Sequence, residues 1–207
     1  MTVSGTRSIL ARAADPRTAL AGKRLPRDFY ARPTLEVARD LLGKVLALET
    51  ASSWKTARIV EVEAYLGDRD PASHAYRGLT PRTAPMFGPP GRSYVYFVYG
   101  MYHCLNVVTE SDGVAGAVLL RGAEPLTGFD ESPPRALAGP GKLARAFGLT
   151  TKHTNLDLVR SDLSIHDAPR VPPSRIVRSV RIGLGEHATT NKPWRLYVRG
   201  SNGVSRP

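Results

Sequence analysis

The chain has 207 residues, 29 Lys and Arg against 18 Asp and Glu, a formal net charge of +11 and one cysteine, Cys104. A lone cysteine excludes an intramolecular disulfide framework and a Cys-rich zinc site, and it is typical of a reducing compartment. No apolar run approaches the roughly 20 residues needed to cross a bilayer, and the N-terminal sequence lacks the apolar core of a signal peptide. We therefore expect a cytoplasmic protein with no membrane association.

Positive charge is concentrated in the C-terminal third of the chain. Residues 140–207 carry 12 Lys and Arg against 4 Asp and Glu, a net charge of +8, which leaves +3 for the remainder. A domain with this asymmetry most often binds a polyanion, because counterions released from phosphates drive the association. A generally arginine-rich proteome would give the same charge count, so composition alone does not exclude that explanation.

The predicted elements begin after a basic, unpatterned segment. We interpret residues 1–24 as a flexible N-terminal tail and residues 25–207 as a single domain. An apolar helical pattern that ends at Gly43 is followed by strand-like alternation over residues 44–48. Further predicted elements are strands at 57–66, 94–99, 106–109 and 114–121, a helix at 141–147, a surface turn at 169–173, and late strands in RIVRSVRIGLG and WRLYVRG.

A loop of about 25 residues, 67–92, separates two of the predicted strands and contains His74. Loops of this length in compact domains are usually functional or disordered. His74 alone is more often a loop histidine with a local hydrogen bond than a catalytic group. Its position beside the strand that precedes the loop makes it a candidate site residue.

The strand ARIVEVEAYL carries two carboxylates on one face. Strand geometry places Glu61, Glu63 and Tyr65 on a face with Ile59, opposite an apolar face that we expect to pack on the core. The carboxylate face is then expected to be open to a cleft or to solvent. Two such carboxylates repel, which can hold one of them protonated or ready to act as a general base. Two harmless surface charges are the alternative, and for this pattern alone they are the more common case.

Tyrosines are dense in the same part of the chain. Six of the eight tyrosines lie between Tyr65 and Tyr102. Tyr94 and Tyr96 share a strand face, whereas Tyr99 ends the strand just before Gly100, where an aromatic side chain can project outward as a wedge. Each tyrosine alone is explained by packing in a half-buried strand. Stacking platforms beside a basic surface, however, are what an enzyme that extrudes a nucleic-acid base requires.

These residues lie within a longer resemblance to a known family. From about Asp28 to Val204 the chain resembles the alkyladenine (3-methyladenine) DNA glycosylases of the mammalian type, which are also widespread in bacteria. The resemblance is carried in order by RDFYARPTLEVARDLLGK, RIVEVEAYLG, SHAYRGLTPRTAPMFGPPG, YVYFVYGMYHCLNVV, AVLLRGAEP, GPGKLARAFGL, RIGLG and PWRLYV. It implies a single α+β domain with a curved, mainly antiparallel β-sheet flanked by helices, like the C-terminal domain of formyltransferases.

The resemblance also implies roles for seven residues. Glu63 matches the base that activates the attacking water, and Tyr65 and Tyr96 match the aromatic side chains that sandwich the flipped base. His74 matches a pocket histidine that contacts the base edge, and Tyr99 matches a wedge that fills the gap in the duplex. Asn106 matches an amide that excludes normal guanine, and Arg121 matches a positively charged contact to DNA. Glu61 is then a neighbour that can tune Glu63.

The activity implied is that of a monofunctional DNA-3-methyladenine glycosylase in base-excision repair, monomeric on double-stranded DNA and associated with the nucleoid. Its substrates are N3-methyladenine and N7-methylguanine, with hypoxanthine and ethenoadenine as further candidates. Because an alkylated purine already carries positive charge, it leaves readily, and no metal or other cofactor is expected. The pocket motifs contain no lysine that could form a Schiff base, which argues against lyase activity.

Two other functional classes remain open at this point. A catalytically silent DNA-binding protein could use the same tyrosines and arginines, but Glu63 would then place a negative charge in its binding cleft for no benefit. A hydrolase of free nucleosides would also use carboxylates. It would show no salt-dependent binding to DNA and no role for Tyr99.

Overall fold

The computed structural model describes residues 22–51, 53–130, 132–133, 135–184 and 191–207. Within these residues the helices are α1 (Arg27–Tyr30), α2 (Thr34–Leu41) and α3 (Pro140–Phe147), and the strands are β1 (Val45–Glu49), β2 (Trp54–Tyr65), β3 (Ser93–Val98), β4 (Tyr102–Val108), β5 (Ala117–Thr127), β6 (Leu163–His166), β7 (Ile176–Ser179) and β8 (Arg195–Val198). Short 3-10 helices lie at Gly67–Arg69, His74–Arg77, Ala84–Phe87, Thr151–His153 and Pro173–Arg175.

These strands form one antiparallel sheet, in the order β3-β4-β5-β2-β1-β6 with β7 and β8 branching from it. The long strand β2 is the centre, because β5 pairs along most of one edge while β1 and β8 share the other. Register shifts between Ile59 and Val62 mark bulges, which bend a strand and increase its twist. The sheet is curled, and the predicted α+β class with a curved antiparallel sheet is confirmed.

Helices cover the sheet through amphipathic faces. In α2 the side chains of Val37, Ala38 and Leu41 are buried, and the helix packs on β2. In α3 the buried face packs on β4 and β5, and the helix ends at Gly148, whose φ of +72° is the left-handed conformation that glycine adopts without steric cost. The largest fully buried side chains are Tyr30, Phe147, Leu41, Leu42, Leu46, Ile59, Leu105, Leu120, Leu137, Leu143, Leu149 and Leu158.

The predicted helices and strands are confirmed with shifted boundaries, whereas the one-turn helix α1 and one short strand were not predicted. The alternation of apolar and polar residues does not locate strand ends where both faces of the strand are covered or where polar residues pair at a sheet edge. Thus β2 and β4 begin earlier than predicted, β5 runs on to Thr127, and RIVRSVRIGLG forms a strand only over Ile176–Ser179. Strand β6, LSIH, was not predicted; it is fully buried but only four residues long.

Residues 1–21 of the predicted tail lie outside the described residues. The last three tail residues, 22–24, lie against β6, where Arg24 pairs with His166 and donates to the carbonyl of Ser161 at 2.8 Å. In the described part of the chain, no helix combines the length and the apolar character needed to span a membrane.

Candidate active site

Both carboxylates of β2 are buried, although the strand pattern predicts a face open to a cleft or to solvent. Glu61 and Glu63 are each 0% exposed. The chain that follows α3 returns to this face: β8 pairs with Glu61 and Glu63, and Ser205 donates its N–H to Glu61. This late segment is distant in sequence, so the local alternation of β2 could not reveal the cover.

Glu61 is held by two guanidinium groups and a serine. Its Oε1 accepts from Arg195 Nε at 2.7 Å, from Arg121 Nε at 3.2 Å and from the Ser205 hydroxyl at 2.9 Å. Its Oε2 accepts from the backbone N–H of Ser205 at 2.6 Å. A buried carboxylate this well paired is a structural anion, and it fixes the arginine that it shares with Glu63.

Among the described residues, three donors contact Glu63, each from a different part of the fold. Oε1 accepts from the backbone N–H of Ile182 at 2.8 Å and lies 3.3 Å from Arg121 Nη1, and Oε2 accepts from the Tyr65 hydroxyl at 2.8 Å. Burial raises the pKa of Glu63 above the ordinary glutamate range, and these three donors oppose that rise without cancelling it. The charge of Glu61 adds the smallest contribution to the rise. A raised pKa moves a carboxylate toward the proton affinity that general-base catalysis requires.

A small cleft of about 220 Å³ opens directly in front of Tyr65. Tyr94 and Tyr96 form one wall, with ring centroids 5.6 Å apart, and the His74 ring meets Tyr96 edge-on at 4.6 Å. The cleft is lined by Tyr65, Ala72, His74, Met86, Tyr94, Tyr96, Val98, Tyr99, Asn106, Gly183 and Leu184. Glu63 lies immediately behind it, in hydrogen-bond contact with Tyr65.

His74 starts a 3-10 helix in the predicted loop, and its Nδ1 lies 3.1 Å from the Tyr94 hydroxyl. Burial against the cleft wall lowers the pKa of His74, and the nearby Arg82 charge lowers it further. The imidazole is therefore neutral at pH 7. A neutral ring adds no repulsion beside a cationic ligand.

Asn106 and Arg121 are both held in place by the sheet. Asn106, on β4, is buried and donates its amide N–H to the carbonyl of Tyr94 at 3.1 Å. Arg121, on β5, is 7% exposed and bridges Glu61 and Glu63. In the structure Arg121 forms ion pairs with both carboxylates. The contact between Arg121 and DNA that the resemblance implies stays a prediction.

Tyr99 projects from the turn between β3 and β4. Val98 accepts a hydrogen bond from the N–H of Met101 at 3.3 Å, and the two central residues both have positive φ, +53° at Tyr99 and +67° at Gly100. This is the type I′ pattern, which suits glycine and asparagine, whereas a tyrosine there is strained. Tyr99 is nevertheless 75% exposed. A bulky ring held in a strained turn without burial is typical of a functional position.

The chain matches the family described as Methylpurine-DNA glycosylase (MPG) over residues 28–202. The chain belongs to the methylpurine-DNA glycosylase family. It is 48% identical over 183 residues to a protein of Myxococcus xanthus named "Putative 3-methyladenine DNA glycosylase", covering 88% of this chain and 93% of that protein. Proteins with the same name from Anaeromyxobacter dehalogenans and Methanocella arvoryzae are 51% and 47% identical, covering 89% and 88% of this chain and 86% and 96% of theirs.

Membership of the methylpurine-DNA glycosylase family confirms the resemblance stated from the motifs. The structure brings six of the seven predicted site residues to the cleft or directly behind it, and Arg121 to the carboxylates. Sequence reasoning missed Asp70, Arg181, Trp194 and Ser205, which support this site from behind. Arg181 within RIGLG and Trp194 within PWRLYV were the available signals, but Asp70, the buried partner of Arg181, is 111 residues away in sequence.

Among the described residues, no group of three or more His, Cys, Asp and Glu side chains is placed to hold a metal ion. Cys104 is buried beside Tyr96, which it opposes across the β3–β4 pair. Burial raises the pKa of this thiol, so it is not activated as a nucleophile.

Proposed function

We propose that the protein removes alkylated purines from double-stranded DNA by hydrolysing the N-glycosidic bond of a flipped nucleotide, with Glu63 as the general base. The observation that carries this proposal is the position of Glu63. Its carboxylate is buried, its pKa is raised, and it lies directly behind an aromatic cleft that opens beside the strained Tyr99 turn. Family membership supports the reaction class, and this geometry supports the assignment of roles.

The cleft suits a flat cation. Faces of tyrosine rings attract positive charge, and Tyr65 and Tyr96 both line the space that a base would enter. Burial raises the pKa of both phenols, so they remain neutral and add no competing charge. N3-methyladenine and N7-methylguanine are cationic purines, and this site therefore favours them over normal bases.

Glu63 retains capacity to bind a water molecule. A carboxylate offers about four lone-pair positions, and the described residues supply three donors, from Ile182, Arg121 and Tyr65. In the proposed step the water oxygen bonds to C1′ of the sugar, and its proton passes to Glu63. The C1′–N bond breaks, and its electron pair neutralises the departing cationic purine. The products are a free base and an abasic site.

A neutral base such as hypoxanthine or ethenoadenine needs a proton as it leaves, so its removal depends on an acid in addition to Glu63.

The described lining of the cleft contains no lysine. Hydrolysis without a Schiff-base intermediate is therefore proposed, which makes the enzyme monofunctional.

Tyr99 is proposed to fill the gap that the flipped nucleotide leaves. Its turn adjoins the cleft, since Tyr99 and Val98 both line it. Extrusion of a base from duplex DNA costs a few kcal/mol of stacking and pairing, and an inserted side chain offsets part of that cost.

The proposal also includes that the protein acts as a monomer on nucleoid DNA in the cytoplasm. Its net charge of +11 accords with binding to DNA.

Substrate size and salt dependence test the proposal. Base release is measured from a duplex with one N7-methylguanine and, in parallel, from the free N7-methylguanosine nucleoside, with duplex affinity followed across a salt series. We expect base release from the duplex and none from the nucleoside. We also expect the logarithm of the duplex affinity to fall linearly with the logarithm of the salt concentration. Release from the nucleoside without salt-dependent duplex binding would establish the nucleoside hydrolase instead, and binding without release would establish the silent binder.

A further inference from the structure

Behind the cleft lies an ion pair between Asp70 and Arg181 that is completely buried. Both side chains are 0% exposed. Arg181 donates from Nη1 to Asp70 Oδ2 at 2.5 Å and from Nη2 to Asp70 Oδ1 at 2.7 Å, and Nη1 also donates to the carbonyl of Ala64 at 2.9 Å. Two parallel N–H···O bonds fix a guanidinium in both position and plane. Neither Asp70 nor Arg181 is among the residues that line the cleft.

The guanidinium of Arg181 makes cation–π contacts with two aromatic rings. Its central carbon is 4.6 Å from the ring centroid of Tyr65 and 5.1 Å from that of Trp194. Tyr65 is the residue that both lines the cleft and donates to Glu63. Arg181 therefore packs on the Tyr65 ring without itself lining the cleft.

The same arginine anchors the backbone donor of Glu63. Ile182, the next residue, donates its N–H to Glu63 Oε1 at 2.8 Å, and the following residues Gly183 and Leu184 line the cleft. Since Arg181 is tied to Asp70 and to the end of β2, the position of this amide is set by the ion pair. A free loop could not hold an N–H to one carboxylate oxygen with the same accuracy.

Asp70 extends the arrangement to the loop that carries His74. Its carboxylate accepts from the N–H of Ala72 at 3.1 Å and from the N–H of Leu66 at 3.3 Å. Ala72 lines the cleft and lies two residues before His74. One buried pair thus joins the strand, the histidine loop and the segment that follows Arg181.

We propose that Asp70 and Arg181 are positioning residues for catalysis, which act on Glu63 through the Tyr65 hydroxyl and the Ile182 amide. This inference rests on the proposed role of Glu63 as general base. It predicts that loosening the pair impairs the chemical step more than it impairs DNA binding. Misplacing a reacting group by about 1 Å can slow a reaction by about 100-fold.

The pair also affects the proton affinity of the base. Hydrogen bonds from Ile182 and Tyr65 favour the ionised form of Glu63 and lower its pKa, so weakening both raises that pKa. The groups that face Glu63 from the packed elements are Glu61 and Tyr65 on β2, Arg121 on β5, Tyr96 on β3, Cys104 on β4 and the Ile182 amide. A general base must be deprotonated, so the acid limb of the pH–rate profile moves to higher pH.

The test compares Arg181→Lys with the same change at a partly exposed arginine that makes the same kinds of hydrogen bond. Lysine keeps the charge facing Asp70 but loses the planar fork and the stacking. Arg27 is the control, because it also pairs with an aspartate, Asp157 at 2.6 Å, and donates to a backbone carbonyl, that of Pro90 at 2.7 Å. Single-turnover release of N7-methylguanine is measured against pH for both variants, with active molecules counted by titration with an abasic duplex.

For Arg181→Lys we expect a rate reduced at least about tenfold, an acid limb at higher pH, and affinity for the abasic duplex within about threefold of wild type. Arg27→Lys keeps the wild-type profile. An Arg181→Lys enzyme with the wild-type rate and acid limb per active molecule would overturn the inference, whereas a wild type that releases no base would instead overturn the proposed function.

A second variant covers a failure of Arg181→Lys to fold. Asp70→Asn keeps one oxygen that can accept from Arg181, but it removes the charge and replaces the other accepting oxygen by an NH2 donor, and we expect the same direction of change in rate and acid limb. If neither variant folds, the pair holds the domain rather than the cleft, and the inference is wrong. Recovery of the rate and acid limb in Asp70→Glu, which restores the carboxylate, would support it.

Discussion

Replacing Tyr99 by glycine and by alanine separates the strain of its turn from the function of its ring. At a φ of +53° an L-residue carries about 1–2 kcal/mol of strain, which glycine does not. Glycine in turn loses about 0.4–1 kcal/mol through the greater freedom of its unfolded chain. Because Tyr99 is 75% exposed, loss of its ring removes only about 50 Å² of burial, or about 1 kcal/mol, in both variants.

The two variants should therefore differ in stability and agree in function. We expect Tyr99→Gly to be more stable than Tyr99→Ala by up to about 1.6 kcal/mol, which is the relieved strain less the cost of glycine, and each 1 kcal/mol is about 2–4 °C in Tm for a domain of this size. This order is the reverse of the usual one, in which alanine is the more stable substitution. Both variants should excise a well-paired lesion about 10–100-fold more slowly, since each tenfold corresponds to about 1.4 kcal/mol of lost support for the flipped state.

The assays are thermal unfolding and single-turnover excision from two duplexes, one with a well-paired lesion and one with the same lesion in a mismatch. Mismatched lesions are easier to extrude, so the loss should be smaller for them. Greater stability of Tyr99→Ala would refute the strain argument. Equal slowing on both duplexes, or none on either, would refute the wedge assignment.

Two further predictions concern the carboxylates. Burial raises the pKa of Glu63, so the base becomes protonated at a pH that is still above the ordinary glutamate range. The excision rate for a cationic lesion should therefore already fall there as the pH decreases. A rate that stays constant down to the ordinary glutamate range would contradict the assignment of Glu63 as the general base. Arg121→Met should destabilise the fold by about 3–5 kcal/mol, since it leaves buried charge unpaired. Chemical denaturation measures this. A loss below about 1 kcal/mol would show that the remaining donors suffice, which are Arg195 and Ser205 for Glu61 and Ile182 and Tyr65 for Glu63.

The fold could be predicted where the residue pattern is local. Helix α2 follows from the spacing of Leu35, Val37, Ala38 and Leu41 up to Gly43, and α3 follows from the proline–glycine start and the apolar face of GKLARAF. Strand β6 was not found, because a four-residue element carries too little pattern to distinguish it from a buried turn.

The site was predictable to the extent that motif order identifies a family, and no further. Glu63, Tyr65 and Tyr96 were assigned through the resemblance, since strand alternation alone left Glu61 and Glu63 equivalent. What separates the two carboxylates is tertiary: Glu61 is paired by Arg195 and Ser205, whereas Glu63 faces the cleft through Tyr65. Arg195 and Ser205 each lie more than 100 residues from Glu61 in sequence, and no local pattern encodes such contacts.

The role of Glu63 is tested most directly by single-turnover release of N7-methylguanine from a labelled duplex in EDTA, comparing wild type with Glu63→Gln. Glutamine has nearly the same shape as glutamate, and its oxygen can still accept from Ile182, but it cannot take a proton from water. We expect equal affinity for the lesion duplex and excision slower by about 100-fold or more, the contribution typical of a general base. A Glu63→Gln enzyme that releases the base at the wild-type rate would contradict the assignment of Glu63 as that base.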